Sequence, residues 1–195
     1  MKICVVRHGE TDWVKEGRFQ GRTDIPMNAT GEAESEKVGR WLKDFAWEEI
    51  ISSPLVRAKR TAEIIAAEIG LAGVREEFGF IERNYGKAEG MATYERKAVY
   101  SDDHDAIDGV EKKADLRERV FGAFVKYALK YANTGKNFII VSHGAAINAL
   151  LAVLSKNEIG SGKTNLKISC VTMLEVVDGE INILFYNKTA EELTA

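Results

Sequence analysis

The opening residues constrain this chain more than any other stretch. Ile3-Cys4-Val5-Val6 is a short, β-branched apolar run, and it stops at Arg7-His8-Gly9-Glu10-Thr11. Such a run fits a buried parallel strand, and ligands of open α/β sheets gather at the carboxyl ends of such strands. Arginine and histidine are poor continuations of a buried strand, because a buried charge must be paired. The glycine after them lets backbone approach a ligand closely. A cation beside a titratable nucleophile at a strand end points to an anion site, phosphate above all.

The same grammar recurs once, in Asn137-Phe138-Ile139-Ile140-Val141-Ser142-His143-Gly144. The chain has only three histidines, and two of them occupy equivalent places at strand ends. A lone histidine reads as a hydrogen-bonded core residue; the matched pair, with an arginine attached to the first, reads as a site. His104 lacks this setting and reads as a solvated loop residue.

The net charge of −3 argues against a nucleic-acid or anionic-membrane partner, so an anion site has to be a local concentration of Arg and His. A length of 195 residues suits one domain, residues 1–195, large enough to bury a core without staples. Cys4 and Cys170 both fall in apolar strands and read as small buried hydrophobes. No signal peptide precedes the first strand and no run approaches membrane-spanning length, so the cytoplasm is the default location. Oligomeric state is left open.

Helical periodicity is clear in Val38, Trp41, Leu42 and Phe45, with Thr30 as the expected N-cap. Residues 50–53 read as a short strand, and Ser53-Pro54 as N-cap and first position of a helix carrying Leu55, Ala58, Ala62, Ile65, Ala66 and Ile69. A strand over 74–78 leads into a glycine-punctuated loop over 81–90, a helix over 91–100 and a polar connection over 101–109. Leu116, Val120, Phe124, Ala128 and Tyr131 mark another amphipathic helix, and the charged run over 111–119 reads as its solvated face. An apolar helix over 145–154 follows His143. The chain closes on two apolar runs joined by Asp178-Gly179, a hairpin signature. Alternating strands and helices imply an α/β class: three layers, α/β/α, with a mainly parallel sheet and antiparallel edge strands.

Each candidate residue lies just past a strand: Arg7 and His8 after the first, Arg57 early in the helix after the second, Glu82 in the loop after the third, His143 after the fourth. All such positions fall along one edge of an open sheet, so they can converge. Two guanidiniums can grip phosphate oxygens bidentately, and a helix N-terminus near Arg57 would add donors.

Taken in order, Arg7-His8-Gly9-Glu10-Thr11, Ser52-Ser53-Pro54-Leu55-x-Arg57-Ala58-x-x-Thr61, Glu82-x-x-Tyr85-Gly86 and Ser142-His143-Gly144 resemble the histidine phosphatase superfamily, which includes the phosphoglycerate mutases. Gly21-x-Thr23-Asp24-Ile25-Pro26-Met27-Asn28 and Ala88-Glu89-Gly90-Met91 are similar to its bacterial broad-specificity phosphatase branch. The resemblance implies a phosphoglycerate mutase-like fold and a phosphomonoester hydrolase of broad specificity for small phosphate esters. It assigns His8 as the nucleophile that becomes phosphohistidine, its second ring nitrogen fixed by an acceptor. Arg7, Arg57 and His143 would surround the phosphoryl oxygens. Glu82 would serve as general acid and then base, which implies a desolvated loop. Gly9, Thr11, Gln20, Gly21, Tyr85 and Gly144 would bind substrate. No metal or other cofactor is implied.

Two departures from the family pattern stand out: Val14 where the family usually places an asparagine that holds the phosphate, and Ser35 at a frequent glutamine. Two other motifs read as decoys. Gly160-Ser161-Gly162-Lys163-Thr164 imitates the end of a P-loop but follows no strand, so a mobile loop is expected. Asp102, Asp103, His104 and Asp105 are consecutive, which suits a solvated turn better than a metal site. Trp13, Trp41 and Trp47 read as core or rim packing, with Trp13 near enough to His8 to line a pocket. Family mutases grip a carboxylate with a lysine and paired arginines after the Glu82 segment. Here the stretch after Tyr85 carries no Arg-Arg pair and the segment over 102–108 is acidic, which favours hydrolysis. A cofactor-dependent phosphoglycerate mutase is the alternative enzyme. A non-catalytic phosphate-binding regulator is the alternative of another class, and retention of both His8 and Glu82 counts against it.

Overall fold

Among the described residues, six strands form one sheet in the order β3-β2-β4-β1-β5-β6. The computed structural model describes residues 1–100 and 107–195. The strands are β1 (Lys2–Arg7), β2 (Glu49–Ser52), β3 (Arg75–Glu76), β4 (Phe138–Ser142), β5 (Val171–Val177) and β6 (Glu180–Lys188). β1, β2, β3 and β4 pair in parallel, whereas β5 runs antiparallel to both β1 and β6. The helices are α1 (Asp12–Lys15), α2 (Ala29–Leu42), α3 (Val56–Ile69), α4 (Thr93–Val99), α5 (Lys113–Ala132), α6 (Gly144–Leu154) and α7 (Ala190–Thr194). Among the described residues, none of them is long and apolar enough to cross a membrane.

Strand alternation produces the three layers. Ile3, Val5 and Ile140 face one side, where they pack with Leu116, Phe124, Ile147 and Leu150 of α5 and α6. Cys4, Val6, Ile139 and Val141 face the other, against Val38, Leu42, Ala58 and Ile65 of α2 and α3. Burial on both faces explains the unbroken apolar runs. Each fully buried side chain of this size contributes roughly 1.5–3 kcal/mol, so a slip in register, which would unseat several at once, is strongly disfavoured. In the register adopted, Arg7 lies opposite Ser142, which places the two His-Gly strand ends side by side. The expected edge hairpin is present, with Asp178 at φ 51° and Gly179 at φ 82° in its turn.

Several local expectations are corrected. Asn28, not Thr30, caps α2; its side chain accepts from Gly31 N, and Thr30 is already inside the helix. Phe45 lies beyond the end of α2, packed against Trp41 and Trp47. Helix α3 begins at Val56, after Leu55, and Val56 N donates to Asp24 Oδ1 at 2.7 Å. Ser53-Pro54 therefore precedes the cap, and a carboxylate from a remote loop does the capping. The third strand is only two residues long, because the chain turns into a 3₁₀ segment, Phe78–Phe80. The short helices α1 and α7, absent from the periodicity reading, are each capped by a threonine, Thr11 and Thr189. Residues 102–105, with the suggested metal cluster and His104, lie outside the described residues.

Candidate active site

His8 leaves β1 with its backbone N–H donating to Ser142 O at 3.0 Å, which extends the β1–β4 ladder by one residue. Its ring is almost wholly buried, and Nδ1 sits 2.7 Å from Gly9 O. A carbonyl can only accept, so Nδ1 carries the proton and Nε2 keeps its lone pair. Gly9 is itself fixed: its N–H donates to Thr61 Oγ1 at 3.1 Å, and a Cβ on it would meet Gly31 O at 2.5 Å. Only glycine permits this approach to the first turn of α2. Burial, reinforced by the charges of Arg57 and Arg7, pushes the His8 pKa well below the ordinary 6.5. The ring is neutral and its free nitrogen is nucleophilic.

His143 follows β4, fully buried, with its ring centroid 5.1 Å from that of His8. Its Nε2 lies 2.7 Å from Ser53 Oγ, whose oxygen also accepts from Leu55 N at 3.3 Å. The Ser53 hydroxyl can donate to Nε2, which places the His143 proton on Nδ1, and that nitrogen has no partner among the described residues. Burial, then the Arg57 charge, holds His143 well below 6.5 as well.

Arg57 is fully buried and donates to Gly21 O at 2.7 Å and Thr23 O at 3.0 Å, tying α3 to the loop over 18–24. Arg7 donates from Nη1 to Leu166 O. The Nε atoms of both arginines are buried without a partner among the described residues. The N-terminal donors expected beside Arg57 are not all available, since Asp24 occupies Val56 N.

Glu82 is 8% exposed. Its Oε1 accepts from Arg83 N at 2.8 Å and Ala146 N at 3.1 Å, and Oε2 accepts from Ala145 N at 3.2 Å. The carboxylate is docked on the N-terminal turn of α6. Glu89 ties this loop to the one carrying Gln20 and Gly21: its carboxylate accepts from Arg22 N, Thr23 N, Thr23 Oγ1 and Tyr85 N, all within 3.0 Å.

Arg7, His8, Arg57 and Glu82 line a single cavity of about 660 Å³, together with Gln20, Gly21, Tyr85 and Gly144. His143 and Thr11 are fully buried, and neither they nor Gly9 belongs to the lining of the cavity. Thr11 donates to Gln20 Oε1 at 2.9 Å and so orients a residue that does line it. Val14 lines the cavity, as the family pattern implies, and Ser35 instead donates to Gly31 O inside α2. Sequence reasoning missed Arg18, Arg83, Lys113 and Asn148 in the lining. Among the described residues, five cations therefore line the cavity against one carboxylate, Glu82, although the chain as a whole is acidic. The positive charge is concentrated locally, at this cavity.

The P-loop imitation is pinned, where a mobile loop was expected. Ser161 N donates to Asn148 O at 3.1 Å, Asn148 Nδ2 donates to Thr164 O at 3.0 Å, and Ser161, Gly162 and Thr164 form part of the cavity wall. Trp13 packs beside Gly90 and does not line the cavity. Trp41 and Trp47 pack at the edge of the α2–α3 core. Cys4 and Cys170 are free and buried, and burial pushes the Cys170 thiol up to about 11, in keeping with inert packing.

Comparison with known proteins agrees with this geometry. The family described as the histidine phosphatase superfamily (branch 1) matches residues 3–189. An uncharacterized phosphatase of Bacillus subtilis (strain 168), PhoE, is 43% identical over 185 residues, covering 95% of this chain and 93% of its own. A probable phosphoglycerate mutase of Salmonella choleraesuis (strain SC-B67), GpmB, is 34% identical over 162 residues, 79% of this chain and 74% of its own. Among solved structures, phosphoserine phosphatase from Entamoeba histolytica in complex with 3-phosphoglyceric acid superposes with a TM-score of 0.83 at 27% identity, over 98% of each chain.

Proposed function

Because the chain belongs to the histidine phosphatase superfamily, we propose that it hydrolyses phosphate monoesters through a phosphohistidine on His8, with Glu82 as general acid and base. The observation that carries this reading is the His8 ring: neutral, with Nδ1–H committed to Gly9 O and Nε2 left as the nucleophile beside two guanidiniums. In the first step Nε2 attacks phosphorus and the P–O bond to the alcohol breaks. The departing oxygen takes a proton from Glu82. In the second step water gives that proton back to the Glu82 carboxylate and attacks phosphorus, releasing inorganic phosphate and restoring His8. Arg7, Arg57 and His143 Nδ1–H supply donors to the phosphoryl oxygens as charge redistributes, and their unpartnered buried nitrogens gain acceptors in doing so.

Residues 1–195 act as one domain in this reading, on a small phosphorylated substrate, without a metal and in the cytoplasm, where Cys4 and Cys170 stay reduced. A cavity of this volume accepts a range of small esters, which supports broad specificity. Hydrolysis is favoured over phosphoglycerate isomerisation because Lys87, the lysine that follows Tyr85, turns to Asp108 at 2.8 Å on the surface and does not line the cavity. Acid quenching during turnover of a phosphomonoester tests the mechanism, with 3-phosphoglycerate isomerisation assayed alongside. An acid-labile, alkali-stable phosphoryl group on His8 is the expected product; trapping on any other residue overturns the assignment.

A further inference from the structure

Arg119 and Glu111 do not belong to a solvated face. Arg119 Nε donates to Glu111 Oε1 and its Nη2 to Glu111 Oε2, both at 2.9 Å, a forked ion pair with side chains only 22% and 12% exposed. The same guanidinium donates from Nη1 to the carbonyls of Gly79 at 2.9 Å and Ile81 at 3.0 Å, and from Nη2 to that of Glu82 at 3.5 Å. Glu111 holds the other flank: its backbone carbonyl accepts from Arg83 Nε at 2.9 Å and its Oε2 from Asn84 N at 3.4 Å. Arg22 joins the bracket, with Nη2 3.3 Å from Glu111 Oε1. The turn that carries Glu82 is thus pinned on both sides by one pair, and neither member lines the cavity.

We propose that the Arg119–Glu111 pair is a positioning device for Glu82: it sets the path of residues 79–84 so that the carboxylate meets the leaving oxygen. This rests on the reading of Glu82 as the leaving-group acid. The chemistry requires such a device, because the turn has little regular structure of its own and proton transfer tolerates little displacement; a shift of about 1 Å can cost about a hundredfold. A forked guanidinium donating to several carbonyls is a job lysine cannot copy.

The test compares alkyl with aryl phosphates, since a good leaving group scarcely needs a proton. Glu82→Gln is measured first and is expected to lose on the order of a hundredfold in kcat for alkyl esters but far less for aryl esters. Arg119→Met should reproduce that selectivity at about tenfold or more, and Arg119→Lys should rescue it only in part. The double variant Glu82→Gln/Arg119→Met should be no slower on alkyl esters than Glu82→Gln alone. Inhibition by inorganic phosphate should stay within about twofold in Arg119→Met and Glu111→Gln, because neither residue lines the cavity. Glu111→Gln, which keeps the side-chain shape, reads the same effect should Arg119→Met fail to fold. Equal alkyl and aryl losses in Glu82→Gln overturn the reading of Glu82 itself. A selective Glu82→Gln combined with unselective or additive losses in Arg119→Met and Glu111→Gln overturns the positioning role alone.

Discussion

The ends of β1 and β4 carry the same dipeptide at the same sheet edge, one strand apart, and the fold makes them chemically opposite. At the β1 end a backbone carbonyl, Gly9 O, takes the Nδ1 proton of His8 and leaves Nε2 as a lone pair. At the β4 end a hydroxyl, Ser53 Oγ, faces His143 Nε2 and leaves Nδ1 to donate. The difference lies in the partner alone. Both rings are buried, both are pushed towards neutrality, and both feel Arg57. A buried, neutral histidine at a strand end presents a lone pair or an N–H according to what each of its nitrogens meets.

Removing each ring breaks the comparison most sharply. His8→Ala should lower kcat by about 10⁴-fold or more, as loss of a nucleophile does. His143→Ala should cost about 10²–10³-fold, the range for one donor to a developing oxyanion, while phosphoryl transfer to His8 still registers in the acid quench. Equal losses in the two variants, or no phosphoryl group trapped in His143→Ala, would erase the distinction between the ends.

Stability against pH tests what the two rings share. Both histidines have folded pKa values below the ordinary 6.5, so below that pH the unfolded chain binds more protons and stability falls as pH falls. Each ring should add to that fall as the unfolded imidazole protonates below about pH 6.5, with a limiting slope of at most about 1.4 kcal/mol per pH unit. Urea midpoints should show the slope halved in either His8→Asn or His143→Asn. A slope that survives in both variants would mean that other groups set it.

The smallest effect concerns Val14, an apolar side chain on the β1 side of the cavity. Val14→Asn should add a charge-assisted hydrogen bond to bound phosphate, worth roughly 1.5 kcal/mol, or about a tenfold gain in kcat/KM at most. Competitive inhibition by vanadate should tighten in parallel. Unchanged kinetics with unchanged vanadate inhibition would show that the β1 side lacks no donor.

The central site was legible because its signal is local. An apolar run that stops at His-Gly marks a buried strand ending in a functional group, and two such runs in an alternating α/β pattern have to lie on one sheet edge. His8, Arg7, Arg57, His143 and Glu82 follow from that placement together with the family motifs. Asp178-Gly179 likewise announces its turn within two residues. Periodicity reports apolar burial and nothing more, and here it misled: the charged run containing Glu111 and Arg119 looks like a solvated helix face, yet it pins the Glu82 turn. Asp24 caps a helix that begins 32 residues later, and the pseudo-P-loop becomes a cavity wall through Asn148. By itself, then, the sequence determined the strands, their functional ends and the chemistry available there, because hydrophobic runs and terminating residues act over a few positions. Tertiary structure alone decided the tautomer of each ring, the remote cap and the bracket around Glu82, because hydrogen bonds and ion pairs depend on distances between groups far apart in the chain.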